Sequence, residues 1–299
     1  MHIPREYHTA TLLTNSQILV TGGFYMGSVL SECELYDPLT DQWTIVANMS
    51  VEREYHTASM LKNGLVLIIG GRSYLDVYHA SAELYNTSTN KWITTGNMKY
   101  PRAQHTATLL HDGEVLVTGG RNNHDYTLRT AELYDPITGT WSLVEEMHFV
   151  RSSHTASLLS DGKVLVAGYM KNARRYHTAT VLMNGRVLVT GGLNNSLNEL
   201  DTAELYDPLT NQWTFTGKMN IPRSSHTASL FLNGTVLING GFNGGILDST
   251  EIYDPLTGIW SIARKMKLPR VDHTASILMN GSVLVIGGTT SKYDTKELY

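Results

Sequence analysis

The residues with most chemistry to offer are seven histidines in one repeated setting. The triplet His-Thr-Ala begins at His8, His56, His105, His154, His177, His226 and His273. Imidazoles gathered round an axis can ligate a transition metal. An arginine stands three residues before each one, at Arg5, Arg53, Arg102, Arg151, Arg174, Arg223 and Arg270. Seven guanidiniums could receive an acidic peptide. A metal site, however, needs three or four ligands converging on one point, and one histidine per repeat spreads them apart. One histidine per unit is the pattern of a structural hydrogen bond made seven times. The arginines are likewise expected to pair inside their own units, with the glutamate of a recurring Glu-Leu-Tyr or Glu-Ile-Tyr at 34–36, 83–85, 132–134, 204–206, 251–253 and 297–299. Cys33 is the single cysteine, so no intrachain disulfide and no multi-cysteine zinc or iron–sulfur site can form. Nucleophile elbows, phosphate loops and His-Glu-x-x-His patterns are absent. No catalytic residue, metal or cofactor is assigned.

The triplets also define the elements that must position these side chains. Their spacings are 48, 49, 49, 23, 49 and 47, so one period governs all but the fourth interval. Met1, Met49, Met98, Met147, Met170, Met219 and Met266 each lie seven residues before a repeat histidine, and Trp43, Trp92, Trp141, Trp213 and Trp260 follow the Glu-Leu-Tyr or Glu-Ile-Tyr motifs. Between them run short segments rich in Val, Leu, Thr and Tyr, bounded by turn residues. In the third unit the expected strands are 105–110, 114–118, 130–134 and 140–144. His111-Asp112-Gly113 and Asp135-Pro136-Ile137-Thr138-Gly139 supply turns. The second segment is apolar almost throughout, as in Val115-Leu116-Val117, which predicts burial on both faces by neighbouring units. No stretch sustains a 3.6-residue period, so no helix is expected.

The order Arg-x-x-His, apolar strand, Gly-Gly, Glu-Leu-Tyr, Trp, Met resembles the kelch repeat and covers essentially the whole chain. The resemblance implies an all-β fold, a kelch β-propeller of four-stranded blades, with 1–299 as a single domain and units beginning near 1, 49, 98, 147, 170, 219 and 266. It implies no single function. The fourth unit, 147–169, falls 26 residues short of the 49-residue period. It is expected to keep two strands, and the last unit to lack its outer strand, giving 25 strands in all. A clipped version of a longer seven-unit protein is the expectation these breaks support.

Residues that hold the scaffold should repeat, and residues that bind a partner should vary. The residue before each histidine varies: Tyr7, Tyr55, Gln104, Ser153, Tyr176, Ser225 and Asp272. So does the loop between second and third strands, which includes Tyr25, Arg72, Arg121 (in the run Arg121-Asn122-Asn123-His124-Asp125-Tyr126), Asn194 and Asn243. In kelch proteins that bind partners, these two regions resemble the ligand-facing rim, and Tyr and Arg there suit protein recognition. The expected function is therefore a protein-interaction scaffold with a protein or peptide partner. Two alternatives stand beside it: a galactose-oxidase-like or carbohydrate-linked extracellular propeller, and a fragment of a ubiquitin-ligase substrate adaptor. The oxidase relative needs a cysteine cross-linked to a tyrosine, and Cys33 falls where other units have Ala, Thr or Lys. A net charge of -4 with 17% charged residues argues against nucleic acid as partner. No window reaches 18 apolar residues, so no membrane span is expected. With no apolar leader after Met1, a cytoplasmic location is expected.

Overall fold

In the computed structural model, residues 1–123, 126–168, 171–289 and 296–299 are described. Tyr169 and the repeat methionine Met170 lie outside them, as do His124 and Asp125 of the third variable loop. The chain divides into two compact units, Met1–Ser153 and His154–Tyr299.

The first unit holds three four-stranded antiparallel sheets. The first of them runs Thr9–Leu12, Ile18–Thr21, Cys33–Asp37 and Gln42–Val46, in that spatial order. The third runs Thr106–Leu109, Val115–Thr118, Ala131–Asp135 and Thr140–Leu143, within one residue of the bounds expected at each end. The second unit holds a two-stranded fourth sheet, Thr155–Leu158 and Val164–Ala167, two four-stranded sheets and a three-stranded seventh. Six sheets of three or four strands and one reduced pair are thus found among the described residues, and they contain the 25 strands expected. The chain is an all-β propeller protein built from kelch-type blades. Two further hairpins, Phe24–Tyr25 with Ser28–Val29 and Arg72–Ser73 with Val77–Tyr78, order the variable loops of the first two blades. No α-helix is found among the described residues; a 3₁₀ turn at Tyr74–Asp76 closes the second hairpin, with Leu75 and Asp76 in left-handed backbone.

Four second strands are covered on both faces, as their apolar runs require: Ile18–Thr21, Val187–Thr190, Val236–Asn239 and Val283–Ile286 are buried throughout. Tyr and Trp of third and fourth strands face each other across the ladder, with ring centroids 5.0 Å apart for Tyr85–Trp92 and 4.9 Å for Tyr253–Trp260. Tyr85 then packs against Leu13, Leu19 and Cys33 of the preceding blade. The indole of Trp92 donates to the Ala47 carbonyl (2.7 Å), and that of Trp260 to the Gly217 carbonyl (2.8 Å). These aromatic pairs therefore join two blades, each adding about 0.5–1.5 kcal/mol beyond burial itself.

Two buried motifs recur, one inside blades and one between them. Arg102 donates to Glu132 (2.7 Å), to the Gly119 carbonyl (2.7 Å) and to the Thr130 carbonyl (3.1 Å). Glu132 also accepts the backbone N–H groups of Lys99 and Tyr100. The same pair recurs as Arg5–Glu34, Arg53–Glu83, Arg174–Glu204 and Arg223–Glu251, at 2.7–2.9 Å and with all these side chains buried. The in-blade pairing expected of the arginines is found, and it removes these guanidiniums from any surface role. The second motif is Gly-Gly. The N–H of Gly71 donates to the Arg102 carbonyl of the next blade (2.8 Å), and that of Gly241 to the Arg270 carbonyl (2.8 Å).

Asn239 breaks the pattern in the sixth blade. Its counterpart Thr21 bonds Thr9 (2.8 Å) and His56 (3.2 Å) through its hydroxyl. Asn239 is fully buried, and among the described residues neither polar atom of its amide has a partner. An unsatisfied buried polar group costs about 1–3 kcal/mol. Asn239→Thr places a hydroxyl beside Thr227 and His273 and is expected to raise the unfolding free energy by about 1–2 kcal/mol. Urea denaturation reads this directly, and a loss of stability would overturn the assignment.

Candidate functional site

The site is built at the end of each blade where the chain enters its first strand. The histidines lie just inside and are structural. His56 Nε2 pairs with the Thr9 hydroxyl (3.0 Å), His105 with Thr57 (2.8 Å), His226 with Thr178 (3.0 Å) and His273 with Thr227 (3.0 Å). Each bond links one blade to the one before. Burial, then the neighbouring arginine, pushes His56 and His273 down to about 3. Burial and Arg174 do the same to His177, and His226 lies well below its ordinary value. The folded protein thus keeps these rings neutral, whereas the unfolded chain protonates them near pH 6.5. Stability is full above about pH 6.5 and falls as pH drops toward 3, by up to about 1.4 kcal/mol per pH unit for each such histidine. Melting followed by circular dichroism should therefore drop steeply between pH 6.5 and 4; a flat profile would show that the rings are not held neutral.

Among the described residues no group of three or more His, Cys, Asp or Glu side chains is placed to hold a metal ion. Cys33 is buried, its thiol donates to the Ser31 carbonyl (3.4 Å), and burial pushes it up to about 12. It is a packed strand residue, as its neighbours in the repeat imply.

The seven variable residues before the histidines share one backbone state. Tyr7, Tyr55, Gln104, Ser153, Tyr176, Ser225 and Asp272 all have φ between 50° and 56°. This left-handed region is costly for residues with a side chain, so surrounding structure must impose it. The imposing contacts are visible. In the first unit the N–H of Tyr55 donates to the Tyr7 carbonyl (3.1 Å), Gln104 to Tyr55 (3.0 Å) and Ser153 to Gln104 (3.0 Å). In the second unit Ser225 donates to Tyr176 (3.0 Å) and Asp272 to Ser225 (3.4 Å). Within each unit a backbone ladder thus runs from blade to blade, while the side chains on its rungs differ.

The variable loops come to the same end. The residue before each rung bridges to the residue after Gly-Gly: Glu6 with Phe24, Glu54 with Arg72, Ala103 with Arg121, Arg175 with Leu193 and Ser224 with Phe242. In the first unit Tyr7 and Tyr55 stack with centroids 4.2 Å apart. The Arg72 guanidinium lies 5.1 Å from the Tyr55 ring centre, pairs with the buried Glu54 (2.8 Å) and is capped by Asp76. Tyr25 sits on the short first hairpin, and Arg121 bridges to Thr127 as well. Beside them an open cleft of about 290 Å³ is lined by Gly27, Ser28, Val29, Glu52 and Tyr74.

In the second unit Arg175 stands over the Tyr176 ring at 5.6 Å. Asn194 uses its side-chain oxygen on the N–H groups of Ser196 and Asn198, so it shapes its turn. Asn243 is exposed, and Asp272 is half-buried. Glu54, Arg175 and the cleft residue Glu52 were not picked out from sequence. Each lies within a few residues of a rung or a Gly-Gly pair, and that proximity was the available signal.

Blades of this kind, with variable side chains on a repeated frame, define a kelch-type β-propeller. The Attractin/LZTR1 beta-propeller family model matches residues 2–250, and the chain belongs to that family. No match was found among curated protein sequences. Two solved structures share the fold. One is described as a novel fungal alcohol oxidase with catalytic diversity among the AA5 family, in complex with copper. It has a TM-score of 0.79 and 16% identity, covering 98% of this chain and 72% of that one. The other, YjhT, has a TM-score of 0.67 and 15% identity, covering 99% of this chain and 98% of that one. At such identities the likeness is one of fold.

Proposed function

We propose that the chain is a protein-interaction scaffold whose partner, a protein or peptide, is held at blade ends by the ladder rungs and the loops after Gly-Gly. The observation that carries this is the ladder itself: seven positions of one backbone conformation bear Tyr, Tyr, Gln, Ser, Tyr, Ser and Asp. A position under purely structural demand would favour Gly or Asn in the left-handed region. Rigid tyrosines and an arginine fixed over one of them are the side chains that dominate protein interfaces. In this reading the candidate contacts of the first unit are Tyr7, Tyr55 and Arg72, with Tyr25, Gln104, Ser153 and Arg121 beside them. Those of the second unit, taken by itself, are Tyr176, Ser225, Asp272, Asn194 and Asn243. No catalytic step is assigned, and a cytoplasmic location goes with the proposal.

The test is proximity labelling with the native chain and with a Tyr7→Ser/Tyr55→Ser chain. Serine already occupies two other rungs, so the frame is preserved. Proteins labelled by the native chain and lost with the variant support the proposal. An unchanged set, or no specific protein with either chain, counts against it.

A further inference from the structure

The fourth sheet carries an interaction surface of a different kind. In the fifth sheet, Val187–Thr190 is paired on both edges, by Thr178–Val181 and by Ala203–Asp207. The equivalent strand Val164–Ala167 is paired with Thr155–Leu158 alone, and among the described residues no strand lies on its other edge. Val164, Leu165 and Val166 are half-buried, where Val187, Leu188 and Val189 are buried. An antiparallel strand directs the N–H and C=O of alternate residues to each edge, so an open edge is a template for another strand.

We propose that Val164–Ala167 is the docking edge for a β-strand supplied by a partner protein, added antiparallel as the third strand of this sheet. Three observations select that occupant. The free groups are backbone donors and acceptors in strand geometry, which only extended chain satisfies in series. The space beside them is apolar: Leu165 and Ala167 pack with Val187, Val189 and Tyr206 of the fifth sheet. Tyr206 keeps 9% exposure, where its counterpart Tyr253 keeps none. The third observation is depth. The fifth sheet continues two strands beyond its second, through Ala203–Asp207 and Gln212–Phe215. Strands lie about 4.8 Å apart, so the open edge is set back by roughly 10 Å from its neighbour's outer margin. A single strand or narrow hairpin reaches that depth. The same edge of a second copy is held off by the outer strands of both molecules.

The register of the fifth sheet specifies the side chains. There Val187 faces Tyr206, Leu188 faces Leu205 and Thr190 faces Ala203. The incoming strand therefore carries a small residue opposite Ala167, an aliphatic one opposite Leu165 and an aromatic one opposite Val164. This site is independent of the rungs and loops at blade ends and stands or falls separately from them.

The probe is a labelled peptide with the sequence of residues 201–215, which carries the fifth blade's own third and fourth strands, added to the full chain and followed by fluorescence anisotropy. Two companion peptides bear N-methyl groups on alternate amides of the first strand, one set on odd and one on even residues. A fourth has the same composition in scrambled order. Saturable binding that falls at least tenfold with one N-methylated peptide and with the scrambled one supports the proposal. No binding, equal binding of all four, or a chain that sedimentation shows to be a dimer dispersed by the peptide would overturn it.

Discussion

Arg102→Ala is expected to lower the unfolding free energy by about 3–5 kcal/mol, the range for removing one partner of a buried ion pair. The guanidinium is wholly buried and serves three acceptors besides Glu132: the carbonyls of Gly119 and Thr130 and the Thr130 hydroxyl. Removing it leaves a carboxylate buried without its cation and the Gly119 carbonyl without its donor, while the Thr130 carbonyl keeps the Gly119 N–H (3.1 Å). The two backbone N–H groups that Glu132 accepts remain, but they do not offset a whole charge. Lysine does not rescue, because a single ammonium cannot reproduce the planar fork. Urea unfolding of native, Arg102→Ala and Arg102→Lys chains measures this. A change under about 1 kcal/mol, near the value of an exposed pair, would mean that the motif is not the blade's tie.

The second large effect is at a glycine that carries no chemistry. A Cβ on Gly70 would stand 2.5 Å from the Arg102 carbonyl of the next blade and 2.9 Å from its His105 ring, with φ at +60°. Backbone meets backbone there, so neither side can yield without separating two blades. Gly70→Ala is expected to cost roughly 3 kcal/mol or more, combining about 1–2 kcal/mol of left-handed strain with the displaced contact. Gly64 is the matched control. Its φ is +83°, but nothing lies within 4 Å of a Cβ there. Gly64→Ala should therefore show only the conformational cost, about 1–2 kcal/mol. Equal losses at the two positions would contradict the idea that Gly-Gly is the joint between blades.

These effects explain what the sequence disclosed and what it withheld. The fold was legible because a blade cannot bury its own second strand: Val115-Leu116-Val117 makes sense only between two neighbours, and the same demand recurs at every period. The in-blade Arg–Glu pairs were legible because both partners repeat in register. The reduced fourth sheet was legible because 26 missing residues correspond to two strands. The variable hairpins were not. Phe24–Tyr25 and Arg72–Ser73 are two-residue strands, too short for alternation to register.

The backbone state of the rungs was also hidden. Tyr, Gln, Ser and Asp give no local signal for φ near +55°; the neighbouring blade enforces it through hydrogen bonds between residues 47–49 positions apart. Local preference does show at the turns between third and fourth strands. There Asp41, Asn90, Gly139, Asn211 and Gly258 fill the left-handed position. Where Asp or Asn stands, the third-strand tyrosine bonds it, as Tyr36 bonds Asp41 (2.7 Å). Where Gly stands, the tyrosine turns to a threonine of the preceding blade, as Tyr253 does to Thr216 (2.7 Å).

Everything functional here depends on separating frame from face: repeated residues hold the blades, and rung side chains are free to differ. The most direct measurement is the melting temperature of the Tyr7→Ser/Tyr55→Ser chain beside that of Arg102→Ala. The account predicts a fall of a few degrees at most for the tyrosine variant, since the losses are small ones such as the stacked pair, about 0.5–1.5 kcal/mol, and the Arg72 contact with the Tyr55 ring, about 0.5–1 kcal/mol. A fall as large as that of Arg102→Ala would make the rungs part of the frame and remove the basis for a binding face.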